Sequence, residues 1–431
     1  MKMRNVGALA AAGLIAIAAC TQGPGAASPA GQSPGGSPAG SPAGTAPATS
    51  PGAGGDLGSV TVPAGEPLHL AFWGVLSGAD AALGEDSRRG VEIAIEERDS
   101  QLLGHEIQLT SEDALCTPEG GATAAQKLAA DTTIVGLVGS ICSDETVGGI
   151  QTLTDAGLTT ISPSNTRPAL TAEDRPPEYA GYLRTAHNDE IQGAVAAQFV
   201  SEELGLTTAA TIHDGSAYAE ALAGVFADTF QEMGGEITAE EAVSKGQTDM
   251  STVLNNVAAT EPELLYFPIF TAEGGFIAAQ SGDVAGLEDV VLMGADGLFS
   301  QDFIDAAGPN VNGMYLSSPD FTAFGDAYQG FLDAYQEKYG EAPIQVFHAH
   351  AYDAANILMN AIEEVAEGAE GEELTIDRAA LRQAIYDTEG HEGLTGTLAC
   401  SDSGDCSSPH IAVYQIENET LPTAPMWSPE E

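Results

Sequence analysis

Thr133-Ile-Val-Gly-Leu-Val-Gly-Ser-Ile-Cys-Ser-Asp-Glu-Thr146 is the stretch that decides the fold. The run up to Gly139 is short, apolar and rich in β-branched residues, which reads as a buried strand. A helix is expected to start near Ser143, with acidic residues in its first turn. A strand leading directly into a helix is half of a βα unit. In open α/β sheets, ligands sit outside the carboxyl ends of the strands, where such turns lie. The free N–H groups of a helix start, together with a serine hydroxyl, make a seat for a carboxylate. Taken alone, Ser143 reads first as a simple helix cap, because serine is common there.

Working outward, the same alternation continues in both directions. Strand-like runs fall at 68–73, 107–110, 133–139, 158–162, 209–213, 264–268, 290–294 and 313–317. Between them lie helical periods, marked by Val91/Ile95, Val147/Ile150/Leu153, Ala194/Ala197, Leu222/Val225/Phe226, Val253/Leu254/Val257 and Phe331/Ala334/Tyr335. A strand every ~20–30 residues is the spacing of βα units, so the expected class is α/β with doubly wound, mostly parallel sheets. One βα series ends and another begins near 184–190.

The amino terminus carries an export signal: Lys2 and Arg4, then an apolar stretch from Val6 to Ala19 that is too short to span a bilayer. Ile17-Ala18-Ala19-Cys20 resembles the lipobox of bacterial lipoproteins, so residues 1–19 are expected to be removed and Cys20 lipidated. Residues 20–66 then form a tether of Gly, Pro, Ala and Ser, with SPAG repeated at 37–40 and 41–44. Such a segment buries too little apolar surface to offset its ordering entropy.

Acidic residues number 63 against 13 basic ones, a formal net charge of −50, which rules strongly against nucleic acid as a partner. Setting Cys20 aside leaves an even set, Cys116, Cys142, Cys400 and Cys406, as expected of disulfides in an exported chain. Three pairings are open; proximity favours Cys400 with Cys406, leaving Cys116 with Cys142. Neither pair has the CxxC spacing of a zinc site, and no metal or other cofactor is expected.

Enzyme chemistry finds no seat. The one G-x-S-x-G match, Gly31 to Gly35, lies in the tether without a strand or helix beside it. None of the four lysines follows a glycine, so no phosphate-binding P-loop exists. His348 and His350 diverge on a helix and read as packing and capping residues. His213-Asp214 ends a strand but lacks a nucleophile in any familiar arrangement. No catalytic residue is assigned.

An ordered set of segments resembles the periplasmic leucine/isoleucine/valine-binding protein family, the type I receptors of ABC importers. The matching segments are Gly74-Val-Leu-Ser-Gly78, Glu112-Asp-Ala-Leu-Cys-Thr-Pro118, Gly139-Ser-Ile-Cys-Ser143 and Ile161-Ser-Pro-Ser-Asn-Thr166. Arg184-Thr-Ala186 with Asp189 and Gln192-Gly193 follows, then His213-Asp214 with Tyr218, Gly294-Ala-Asp-Gly297, and the run from Gly404 to Tyr414. They keep the family's order across nearly the whole chain from Leu68.

The resemblance implies two α/β lobes joined by three hinge crossings: 67–188 plus 320–395, and 189–319 plus 396–425, with 426–431 as a tail. It also implies that Cys116 pairs with Cys142. Residue by residue, Ser143 and Thr166 match positions that hold the ligand's carboxylate and amino group, and Ser164 matches one that contributes backbone. Asp189 and Tyr218 match polar residues of the second lobe, and Asp296 an acid facing the ammonium. Leu83 stands where some members place an aromatic ring, and Phe270-Thr271 replaces a tyrosine-rich stretch. The implied function is an extracytoplasmic, membrane-anchored, monomeric receptor. It would capture an amino acid, branched-chain or similarly apolar, and deliver it to a permease and ATPase. The rival readings are a ligand-sensing lipoprotein for an amide, aromatic acid or other solute, and an exported hydrolase.

Overall fold

Every residue of the strand Leu68–Gly74 is buried, and so is every residue of its neighbour Ile134–Gly139. Side chains alternate across a strand, so a strand buried throughout needs cover on both faces. The computed structural model, which describes residues 56–429, supplies that cover. Leu70 and Phe72 join one apolar cluster with Val91 of helix Ala81–Glu96 and Ile357 and Leu358 of helix His348–Val365. Ala71 and Trp73 join another with Ala124, Ala125 and Leu128 of helix Pro118–Ala130 and Leu153 of helix Ser143–Asp155.

Two six-stranded sheets result. The first runs in the order Gln101–Leu102, His105–Asp113, Leu68–Gly74, Ile134–Gly139, Thr160–Ser162, Tyr182–Arg184, parallel except at its first pair. The second runs Glu236–Ala242, Thr208–His213, Leu264–Tyr266, Val291–Gly294, Tyr315–Pro319, Ile411–Gln415, parallel except at its last pair. Each sheet reverses its strand order beside its first strand, so each has one topological switch point. No helix among the described residues is long and apolar enough to cross a membrane.

All eight expected strands are present, shifted by no more than a few residues at their ends. Glu236–Ala242 escaped the sequence reading because it is a polar edge strand, Glu-Ile-Thr-Ala-Glu-Glu-Ala, with no fully buried residue. Tyr182–Arg184 escaped because it is three residues long and ends in a charge.

Three expected boundaries need correction. The tether does not reach residue 66: Ser59–Val62 pairs antiparallel with Leu374–Asp377, burying Val60 and Val62 on its inner face. Nor does the chain join the second sheet at 396. Arg184 and the loop from Cys400 to Cys406 exchange backbone hydrogen bonds, and the fully buried Arg184 guanidinium pairs with Asp405 at 2.7 Å. That loop therefore extends the first sheet, and the second is rejoined at Ile411. The tail is fastened too, since Trp427 and Val413 exchange backbone bonds and Trp427 packs on Phe199. The signal segment, Cys20 and the tether up to residue 55 lie outside the described residues.

Candidate functional site

The two switch points bring equivalent positions of the two lobes face to face. After the first strand of each sheet, a helix opens with Leu83 in one lobe and Tyr218 in the other. After the strand across each switch point comes Ser143 in one lobe and Phe270 in the other. After the next strand come Ser164 and Asp296. These six line one narrow chamber, closed off by Ile141, Cys142, Phe347 and Gly297, with a cavity of only about 10 Å³ between the two lobes.

Close backbone approach demands glycine at the end of the strand before Ser143 and again on the chamber wall. Gly139 has φ +132°, and a Cβ there would stand 2.1 Å from the Trp73 carbonyl oxygen. At Gly297 a Cβ would meet the Ile269 carbonyl at 2.8 Å. Glycine is needed at both for steric reasons.

Ser143 does not cap its helix; it is the first residue inside it, after Cys142. The fully buried Glu145 ties down the preceding turn, accepting hydrogen bonds from the amides of Cys116 (2.8 Å), Ile141 (3.0 Å) and Cys142 (2.9 Å). The Ser143 hydroxyl is thus left at the chamber wall, buried and without a protein partner. Ser164 donates its hydroxyl to the Ile141 carbonyl at 2.7 Å, so its backbone carbonyl is what it can offer a ligand.

Acidic groups hold the opposite side. Asp296 Oδ1 accepts from Tyr218 Oη at 2.9 Å and from Gln192 Nε2 at 2.8 Å, which leaves Oδ2 for a further donor. Burial, reinforced by the charges of Asp296 and Asp189, holds the Tyr218 phenol far above its ordinary pKa, so it remains a donor. Thr166 and Asp189 stand just behind the wall rather than on it, joined by a bond from the Asp189 amide to the Thr166 carbonyl at 3.0 Å. The Thr166 hydroxyl and both Asp189 carboxylate oxygens are buried without partners. Burial pushes Asp189 well above the usual carboxylate range, Asp296 pushes the same way, and the charge of Arg184 offsets part of it.

The structure therefore gathers all eight residues singled out in the sequence, six on the wall and two behind it. The sequence reading assigned no role to Tyr266, His187 or Phe347, nor to Gln192, which it held only as part of a matching segment. Tyr266 ends a strand at the second switch point, and its buried hydroxyl has no partner. Gln192 follows Asp189 by three residues on one helix face, a spacing that could have exposed it. His348 and His350 lie in the first turn of their helix. His348 is held by Asp86 at 2.9 Å and by Tyr328 at 2.8 Å, which is a packing role.

The family model described as periplasmic binding protein matches residues 67–419. The chain belongs to the periplasmic binding protein family. Among its curated relatives, the Leu/Ile/Val-binding protein homolog 3 of Brucella melitensis is 28% identical over 345 residues, covering 80% of this chain and 89% of that one. Among solved structures, LivJ of Streptococcus pneumoniae, a branched-chain amino acid transporter substrate-binding protein crystallised with isoleucine, superposes with a TM-score of 0.73. That match is 23% identical and covers 84% of this chain and all of LivJ. A solute-binding protein of an R. palustris ABC transporter, in complex with benzoate, superposes at 0.71, with 20% identity over 84% of this chain and 98% of that one. The fold is thus that of the type I periplasmic binding proteins, and the chain is a substrate-binding protein of the ABC-transporter kind. Its relatives are binding proteins rather than enzymes.

Proposed function

We propose that this protein is an extracytoplasmic lipoprotein that captures an α-amino acid between its lobes and delivers it to an ABC importer. The polarity of the chamber carries the reading. The first lobe offers the Ser143 hydroxyl and the start of a 13-residue helix, both suited to a carboxylate. The second lobe offers Asp296, with Asp189 behind it and both Asp189 oxygens unpartnered, both suited to an ammonium. Buried charge of one sign calls for its opposite, and a zwitterion brings both signs in the matching order.

Between those ends the wall is apolar: Leu83, Ile141, Phe270 and Phe347. An aliphatic side chain suits it, in keeping with the leucine, isoleucine and valine of the relatives' names. An aromatic acid such as benzoate brings a carboxylate but no cation for Asp296, so the geometry ranks it second.

In this reading hinge closure presents both lobes to a permease and its ATPase, and the receptor works as a monomer. Cys20 carries the lipid, and the segment after it lets the lobes reach the membrane partner. Calorimetry of the mature chain against amino acids, amides, sugars and aromatic acids tests the ligand. Binding of a benzoate but of no amino acid overturns it. A Cys20→Ser change should release the protein from the membrane fraction, and loss of solute uptake on deletion separates import from sensing.

A further inference from the structure

Asp296 does not hold its carboxylate alone. Gln192 Nε2 donates to Asp296 Oδ1 at 2.8 Å and to the Ser317 carbonyl at 3.1 Å. Both partners only accept, which fixes the amide with its oxygen pointing the other way. That oxygen lies 2.5 Å from His187 Nε2, so the imidazole carries its proton on Nε2 and donates it. Nδ1 is then a lone pair, buried without a partner. A neutral ring fits, and burial pushes its pKa down.

His187 occupies the short segment between strand Tyr182–Arg184 of the first sheet and helix Asp189–Gln198 of the second lobe. Its ring stacks on Phe347, with centroids 5.9 Å apart, and Phe347 is part of the chamber wall. One line of contacts therefore runs from the apolar wall through the crossing between the lobes to the acid of the second lobe.

We infer that Gln192 and His187 are positioning residues that aim Asp296 at the ligand's ammonium and tie that acid to the crossing between the lobes. The inference rests on the amino-acid reading above. Gln192 and Tyr218 both donate to Oδ1, which restrains the carboxylate and leaves Oδ2 as the oxygen free for the ligand. Loss of the Gln192 donor frees the carboxylate to turn, and a site held loosely by its supporting groups loses its ligand geometry. Loss of the His187 donor lets the amide flip and present its oxygen to a carboxylate.

The test compares two ligands: the amino acid that binds most tightly, and the 2-hydroxy acid with the same side chain, which lacks the ammonium. Gln192→Leu should reduce the amino acid's advantage over the hydroxy acid by about tenfold, the worth of one hydrogen bond to a charged group. His187→Phe keeps the stack on Phe347 and should reduce the same ratio, but by less. Thermal unfolding without ligand shows that each variant is folded. Equal weakening of both ligands, or an unchanged ratio in either folded variant, overturns the inference. A wild-type chain that binds no α-amino acid overturns the reading beneath it, and this inference with it.

Discussion

Asp144, in the first lobe, accepts a hydrogen bond from the backbone amide of Ala217, the first residue of a second-lobe helix, at 3.2 Å. One lobe thus supplies the acid that a helix start of the other lobe calls for. Lys245 makes the return contact. From the second lobe its ammonium donates to the Cys116 carbonyl at 2.9 Å and stands 3.8 Å from Asp80.

Contacts across the mouth of a cleft should matter for holding ligand more than for folding either lobe. Lys245→Met is expected to weaken ligand binding by about two- to fivefold, the range for a partly exposed ion pair. The loss should appear as faster release in stopped-flow measurements and should shrink as salt is raised. An unchanged release rate would remove Lys245 from the closing contacts.

At the chamber itself, Ser143→Ala and Asp296→Asn each remove one hydrogen bond to a charged end of the proposed ligand. Each should cost ~1.5–3 kcal/mol of binding, roughly ten- to a hundredfold in Kd. Thr166→Ala should cost less, because its hydroxyl stands behind the wall. Titration calorimetry reads all three, and full affinity in Ser143→Ala would refute the carboxylate seat.

The two disulfides should differ in worth. Cys116–Cys142 closes a span of 26 residues and Cys400–Cys406 one of 6. On loop entropy alone the first contributes ~3–4 kcal/mol and the second about 2. Removing Cys116–Cys142 should also weaken ligand binding, since Cys142 precedes Ser143 and lines the chamber. Urea unfolding of the two double-serine variants, followed by ligand titration, separates these effects.

Glu145 gives the fold a pH dependence. Burial pushes its carboxyl up to about 7 against an ordinary 4.5, although three backbone amides pull it back. The folded state therefore binds this proton more tightly than the unfolded one. Stability from this group is full below about pH 4.5 and falls as pH rises toward about 7, by up to ~3 kcal/mol. Urea unfolding of wild type and Glu145→Gln across pH 5–8 should show a smaller slope in the variant. Equal slopes would place the titration elsewhere.

Much of this was legible because apolar spacing is a local property. Ile134–Gly139 could be read as a strand and Ser143 as a helix start from a dozen residues, since both depend on neighbours along the chain. Asp296 was different: among 63 acidic residues nothing local separates it from a solvated one. Its place after the strand Val291–Gly294, and the family's order of segments, singled it out. The roles of Gln192 and His187 stayed hidden because Asp296 and Phe347, which they touch, lie more than a hundred residues away.

Taken by itself, the sequence determined the alternation of strands and helices, an even set of four body cysteines and the acidic charge, because periodicity, cysteine number and charge need no partner to be read. Only the tertiary structure decided that Ser59–Val62 and Trp427 belong to the folded body, that Asp405 holds the first sheet's edge through Arg184, and that Leu83 faces Tyr218 across one chamber. Those outcomes depend on which surfaces meet when two sheets close on each other. A burial, an ion pair or a cavity exists only once distant segments share the same space.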